Sequence, residues 1–317
     1  MPLANVRVNA AVTFVNNANV TDRRVGVAPF RSAIGVLAGN INLLVNGGAE
    51  YWTKGVGPIT VVPNNYIYQF TDGWLIFNGS TAGFASASKE TTIVDQSKAS
   101  AKIDIGATTA TDVVMTQRIE DFTQFQAKPF SFSARVRVAA NFNARVRIRE
   151  TNAGGRLDTY SPYHPGGSVW QTLAVTKLLR SDNNNTSLEV SIVFALPSTI
   201  SYVDNAMLVV SGEAVEYLPL PPADDQARGE RYLQKISIEF SGYAPVAGIA
   251  GYLATTVPYR RTMGGTPSAT ITTVGSDANV SSGGMNLTFT YGGSYFVSPT
   301  AVGWTHYARD IILDWYI

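Results

Sequence analysis

The chain has two histidines, His164 and His306, which fall in different segments and form no metalloprotease or triad pattern. Ile-Glu-Asp at 119–121 supplies adjacent carboxylates. Neighbours on an extended chain point to opposite sides, so these two cannot flank one glycosidic bond. No glycine-rich phosphate loop leads into a helical segment, and there is no repeat of the solenoid kind. The residue types that could perform catalysis are therefore present without the arrangement it needs, and the sequence predicts a protein that is not an enzyme.

Binding chemistry has better material. Trp52, Tyr66, Tyr68, Trp74, Tyr160, Tyr163 and Trp170 are flat rings able to stack on the apolar faces of sugars. Tyr160 and Tyr163 lie in TYSPYHPGG, a stretch rich in turn formers, where side chains are displayed more often than in strands. With Trp52 they are the candidate glycan contacts. Arg135, Arg137, Arg145, Arg147 and Arg149 fall opposite the apolar positions of FSARVRV and ARVRIR. Read as a hairpin around AANFN, those segments place five like charges on one face, which is costly unless something neutralises them. The neutralising groups are acids on a third strand, acids of a neighbouring subunit, or an anionic ligand such as an acidic polysaccharide.

These groups must be positioned by strands, because period-two alternation recurs along the chain. Val6, Val8, Ala10, Val12 and Phe14 share one side of an extended segment, and so do Leu188, Val190, Ile192 and Phe194. KISIEF, NLTFTY and IILDWYI repeat the pattern near the end. Helical periodicity is confined to ADDQARGERYLQKI (223–236), with acids at its start and a weakening glycine at 229. Short strands bounded by Gly, Pro, Asn and Ser predict an all-β protein, a sandwich or jelly roll.

Composition agrees. Of 317 residues 45% are hydrophobic and only 15% charged, which gives material for real cores and a surface of Ser, Thr, Asn and Gly. A net charge of +1 draws the chain to neither nucleic acid nor an anionic membrane. No segment reaches the ~18 apolar residues of a membrane helix, and MPLANVRVNAAVTFV lacks the form of a secretory leader, so a soluble protein is expected. The absence of cysteine favours folding in a reducing cytoplasm.

The proline-rich LPLPPADD (218–225) reads as a linker, and the irregular stretch before residue 40 as a separate arm. This predicts an N-terminal arm (1–40), a central jelly roll (41–218) and a C-terminal β-domain (219–317). An arm of that length cannot fold alone and is expected to dock on a sister chain or a larger assembly. A chain that finishes on alternating apolar residues is expected to tuck its end into a sheet or a subunit interface.

NLLVNGGAEYW (42–52), DGWLIFNG (72–79), QRIEDFTQFQAKPFSFSARVRV (117–138), SVWQTLAVT (168–176) and SYVDNAMLVVSGEAVEYLP (201–219) occur in that order. Together they resemble the carbohydrate-binding-module-like jelly roll of bacteriophage fibre proteins. The following LPLPPADDQARGERYLQKI, with Arg231 and Tyr232, is similar to the segment joining that module to a C-terminal trimeric fibre domain. The resemblance covers roughly residues 41–235, with one departure: Ala49 stands where the family usually has an aromatic.

The resemblance implies a first strand and turn at Asn42–Gly48, with Asn46, Gly47 and Gly48 turning through positive φ. It implies buried tryptophans at 74 and 170. It also implies that Glu50 and Asp204 meet on the first and last strands, where they either hold a structural Ca²⁺ or serve as ordinary solvent-facing or capping carboxylates. The expected role is a non-enzymatic virion structural protein, a tail fibre or appendage made in the host cytoplasm and carried on the particle. Its partners would be its own subunits as a homotrimer, other virion proteins through the arm, and host surface polysaccharide during adsorption, without nucleic acid or membrane insertion. The rivals are a head decoration or neck protein that binds no sugar, and the carbohydrate module of a bacterial enzyme.

Overall fold

In the computed structural model, residues 5–6, 20–21, 41–107, 112–120, 122–181, 185–244, 253–260, 263, 266–273, 277, 280–287, 292–301 and 303–315 are described. Residues 1–41 form one compact unit and 42–317 a second. Besides Ile41, the described part of the first is an antiparallel pair, β1 (Asn5–Val6) and β2 (Val20–Thr21). The arm's expected docking and the alternation over residues 6–14 otherwise lie outside the described residues.

The second unit continues with β3 (Ile59–Val61), β4 (Asn65–Thr71), β5 (Trp74–Asn78), β6 (Ala85–Glu90), β7 (Ser100–Ile105) and β8 (Val113–Arg118). After these come β9 (Pro129–Val138), β10 (Ala144–Asn152), β11 (Gly155–Tyr160), β12 (Val169–Leu178), β13 (Asn185–Phe194) and β14 (Thr199–Val209). They make two six-stranded antiparallel sheets, ordered β11-β10-β13-β8-β5-β4 and β12-β9-β14-β7-β6-β3. Phe130, Phe132, Val136 and Val203 from one sheet and Trp74, Val146, Ile192 and Phe194 from the other belong to one buried core. Each such large side chain taken out of water contributes roughly 1.5–3 kcal/mol. The all-β sandwich expected from alternation is the architecture found.

The expected hairpin over 132–149 is not. β9 and β10 belong to opposite sheets, and residues 139–143 arch across the end of the sandwich. Asn143 shows why. Its buried amide donates to Thr199 and Ser201, and its Oδ1 accepts from the backbone N–H of Leu196. Asn143 is thus bonded to the second crossing, between β13 and β14, while Phe142 donates to the His164 carbonyl and Ala139 accepts from Gly167. Both apolar rows therefore face one core from opposite sides, and the five arginines are divided between two outer faces.

The predicted helix exists only in its first half, as α1 (Pro222–Gly229), with proline at the start and Asp224 and Asp225 in the first turn. The rest of that segment turns into β15 (Leu233–Ala244). Beyond it lie β16 (Leu253–Pro258), β17 (Ser268–Thr273), β18 (Val280–Asn286), β19 (Gly292–Pro299) and β20 (Gly303–Asp314). They form two three-stranded sheets, β15-β20-β17 and β16-β19-β18. Val257, Tyr295 and Val297 of one sheet share a core with Tyr307, Ile311 and Leu313 of the other. Arg231 pairs with Glu120 at 3.2 Å, while Tyr232 stacks on Trp315, with ring centroids 5.7 Å apart. The Arg-Tyr pair thus grips the jelly roll with one residue and the end of β20 with the next.

Candidate functional site

Strand register builds a recessed groove on the outer face of the β11-to-β4 sheet. Side chains that point away from the core lie in rungs across neighbouring strands. Arg145, Val193, Val114, Phe77 and Tyr66 make one rung. Tyr160, Arg147, Ser191, Thr116 and Leu75 make the next. Asp158, Arg149, Glu189 and Arg118 make the third. Val193, Val114, Ser191, Thr116 and Leu75 are buried although they lie outside the core cluster, so they form a floor beneath taller walls. The groove has a volume of about 520 Å³ and is also lined by Gly79, Asp112 and Arg156.

One end is aromatic. Tyr66 stacks on Phe77, with centroids 4.2 Å apart, and lies 6.0 Å from the near-parallel ring of Tyr68. The two tyrosines are 42% and 43% exposed, an unusual state for rings that flank a buried floor. The other end is charged. Arg118 Nε donates to Glu189 at 3.0 Å, and Arg149 makes two bonds to Asp158, at 2.6 and 2.7 Å. Between the ends runs a polar relay: Arg147 donates to Ser191 at 2.9 Å, Ser191 to Thr116 at 2.9 Å, and Thr116 to the Val190 carbonyl at 2.8 Å. A sugar ring presents an apolar face and a rim of hydroxyls, and this surface offers a flat apolar platform beside fixed donors and acceptors.

The residues singled out from sequence are distributed differently from expectation. Arg147 and Arg149 line the groove. Arg145 does not face a ligand, because its guanidinium lies 3.8 Å from the Tyr160 ring centroid and 4.6 Å from that of Tyr163. The rings expected to stack on sugar therefore already hold a cation, and the Tyr160 hydroxyl donates to Asp158 at 2.9 Å. Trp52 is 8% exposed, edge-on to Phe70, with its indole N–H on the Ala49 carbonyl, so it is a core residue. Trp74 is buried as the resemblance implied, whereas Trp170 is only half-buried on β12.

Arg135 and Arg137 stand on the opposite outer face. Arg135 makes a two-point bond to Asp95, at 2.7 and 2.9 Å, which holds its guanidinium above its ordinary pKa. Arg137 lies over the ring of Tyr202. Asp95 and Asp158 are the neighbouring acids that neutralise much of the expected stripe.

Glu50 and Asp204 do meet one element, the loop between β6 and β7, but as clamps on its backbone. Asp204 is fully buried, and its two oxygens accept from the N–H groups of Asp95 and Asn205, while Glu50 accepts from that of Lys98. Burial first of all pushes the Asp204 carboxyl above its usual range, with these bonds opposing. Calcium takes six to eight oxygens. Here both Asp204 oxygens and one Glu50 oxygen accept amide protons, and Asp95 is bonded to Arg135. Among the described residues no three His, Cys, Asp or Glu side chains gather as a metal-holding cluster.

The first turn works through contact rather than glycine φ. Asn46 and Ala49 adopt positive φ, at 52° and 50°, while Gly47 is needed because a Cβ there would lie 2.3 Å from the Ala206 carbonyl oxygen. Asn46 is a junction: its side chain accepts from Glu50 and Tyr51 N–H and donates to Thr71 and the Asp72 carbonyl, and its own N–H donates to Asp225 of α1.

Both histidines are engaged in hydrogen bonds. The buried His164 ring lies 3.1 Å from the Val136 carbonyl and accepts the Gly166 N–H at 2.8 Å. His306 bonds to Ser241 across the exposed sheet, and Asp277, the acid that could orient such a pair, is held by Arg309 in two bonds.

Sequence reasoning considered Tyr66 and Tyr68 but missed Leu75, Phe77, Thr116, Arg118, Arg156 and Glu189. A signal was present: WLIFN and VVMTQR are apolar at successive positions, which marks strands whose outer side is also shielded.

No protein-family model matches the chain, and no curated protein matches it. Solved structures give likenesses of fold at low identity. The CBM22-1 xylan-binding domain of Paenibacillus barcinonensis Xyn10C is 13% identical with a TM-score of 0.38, over 55% of this chain and 97% of that one. The C-terminal family 22 carbohydrate-binding module of Clostridium thermocellum Xyn10B is 16% identical with a TM-score of 0.35, over 46% and 90%. The enzymatically active domain of tailspike protein 4 of bacteriophage CBA120 is 13% identical with a TM-score of 0.40, over 54% of this chain and 22% of that one.

Proposed function

We propose that this chain is a non-enzymatic, carbohydrate-binding appendage protein of a bacteriophage particle. Its jelly roll holds host surface glycan in the groove of the β11-to-β4 sheet. Residues 1–40 attach it to other virion proteins, and residues 219–317 join three copies. The observation that carries the glycan reading is the groove itself, with exposed, near-parallel Tyr66 and Tyr68 at one end and the polar side chains of Thr116, Arg118, Arg149, Arg156 and Glu189 lining the rest. Against a hydrolytic role, Glu189, which lines the groove together with Asp112, is paired with Arg118 and stands in register with Arg149. That is the setting of an ion pair rather than of a proton donor. The virion reading is supported by the ordered motifs of the jelly roll and of the segment that follows it. Single shallow sites of this kind gain strength from copies presented together.

Affinity electrophoresis of the intact chain through gels holding neutral and charged bacterial polysaccharides tests the reading. Retardation by at least one polymer, weakened in Tyr66→Ala, is expected. Free migration in all of them would overturn it and favour the sugar-free decoration or neck role. A solution mass of one chain rather than three would remove the trimer.

A further inference from the structure

We infer that the groove selects glycans bearing carboxylates, with the sugar face on Tyr66 and Phe77 and the acid group between Arg147 and Arg156. This rests on the glycan-binding reading above and names the class of sugar. Four guanidiniums line the groove: Arg118, Arg147, Arg149 and Arg156. Glu189 is paired with Arg118, and Asp158 is shared, lying 3.7 Å from Arg147 and bonded twice to Arg149. One carboxylate thus serves two guanidiniums. Arg156, exposed on β11 opposite Thr151, has no ion pair among the described residues.

Arg147 gives the second, independent sign. It is 5% exposed, lines the groove, and its Nε–H finds no acceptor among the described residues. A buried charged donor left unmet is costly. Burial, and after it the like charge of Arg149, pull this guanidinium below its ordinary pKa, as expected where negative charge is in short supply. The exposed guanidinium of Arg156 is the one a planar carboxylate can reach in the two-point geometry that guanidinium favours, with the buried charge of Arg147 on the same groove wall. With Asp112 also lining the groove, four guanidiniums stand against the three carboxylates of Asp112, Asp158 and Glu189, and an excess of one charge suits a sugar carrying a single acid group per residue rather than a densely charged polyanion.

The test runs the intact chain, at about 150 mM salt so that long-range attraction is screened, through gels of polygalacturonate, alginate or hyaluronan. Each is compared with the same polymer after its carboxyls have been reduced to alcohols. At least one acidic polymer is expected to retard the chain, with the apparent Kd at least tenfold weaker after reduction. Arg156→Gln should lower that ratio, while Tyr66→Ala should weaken both forms alike. Equal retardation by acidic and reduced polymers, or a ratio unmoved by Arg156→Gln, overturns the inference and leaves glycan binding standing. A single-stranded oligonucleotide that binds more tightly than every polymer also overturns it. Retardation by no polymer, acidic or neutral, overturns both readings.

Discussion

Ala-Arg-Val-Arg occurs twice, at 134–137 and 144–147, and the copies meet different fates. Their apolar residues behave alike: Ala134, Val136, Ala144 and Val146 are all buried in one core. Their arginines do not. In β9 the first is fastened to Asp95 and the second lies over Tyr202, both on a partly solvated face. In β10 the first is enclosed by two tyrosine rings and the second is buried at the wall of a groove. Alternation decides which way a side chain points, but the strand alongside decides what that direction means. β9 lies between β12 and β14, while β10 lies between β13 and β11, whose Ser191, Glu189 and Asp158 build the polar half of the groove.

The largest expected difference between the copies is in stability. Arg147→Ala would leave Ser191 and Asp158 with lost partners in a dry setting and should destabilise by about 2–3 kcal/mol. Arg137→Ala, at a half-exposed site, should stay within about 0.5 kcal/mol. Urea unfolding of both variants measures this, and equal losses would dissolve the distinction drawn between the faces.

Binding gives the next effect. Tyr66→Ala should weaken glycan binding about tenfold, roughly 1.4 kcal/mol, whereas Tyr163→Ala should leave it unchanged because that ring is engaged with Arg145. Loss of affinity in Tyr163→Ala alone would restore the loop as the sugar contact. A smaller effect is expected at Arg135 and Asp95, where a double-mutant cycle should yield a coupling of about 1 kcal/mol, tempered by the partial exposure of both groups. A coupling near zero would make that face an ordinary solvated surface.

The smallest effect should be the pH response of the arch that joins the copies. The His164 ring contacts the Val136 carbonyl of the first copy, while its backbone N–H donates to Ala144 of the second. Burial lowers the pKa of this histidine in the folded chain, so the unfolded chain takes up the proton first as pH falls. Stability should therefore be full above the ordinary histidine range and decline as pH drops through it towards the folded value. His164→Gln should flatten that decline in thermal unfolding followed from neutral to mildly acidic pH, and an unchanged slope would assign the loss to other groups.

Local patterning was readable in the chain, and its partners were not. The rows Phe132-Ala134-Val136-Val138 and Leu188-Val190-Ile192-Phe194 announced buried faces, and these are buried. That β9 and β10 lie in different sheets depends on Asn143 reaching residues 196–201, a contact no period reveals. The glycine at 47 was recognisable as part of a turn, yet its reason is a carbonyl at residue 206. The groove was partly legible, since Arg147 and Arg149 were singled out while Tyr66 and Tyr68 were only two of the seven rings weighed, with Tyr160, Tyr163 and Trp52 preferred to them. Glu189, Ser191 and Thr116 joined them only through register, which couples strands far apart in sequence.

Asn42 bonds the Ala206 carbonyl across 164 residues, and Asn46 bonds Asp225 across 179. During synthesis at roughly 5–20 residues per second, the opening segment must then wait on the order of ten to thirty seconds for its partners to be made. Throughout that interval the turn lacks these two bonds, although Gln117, which bonds the Val45 backbone in both directions, is made sooner. The first turn of the jelly roll is therefore completed only when β14 and α1 have emerged.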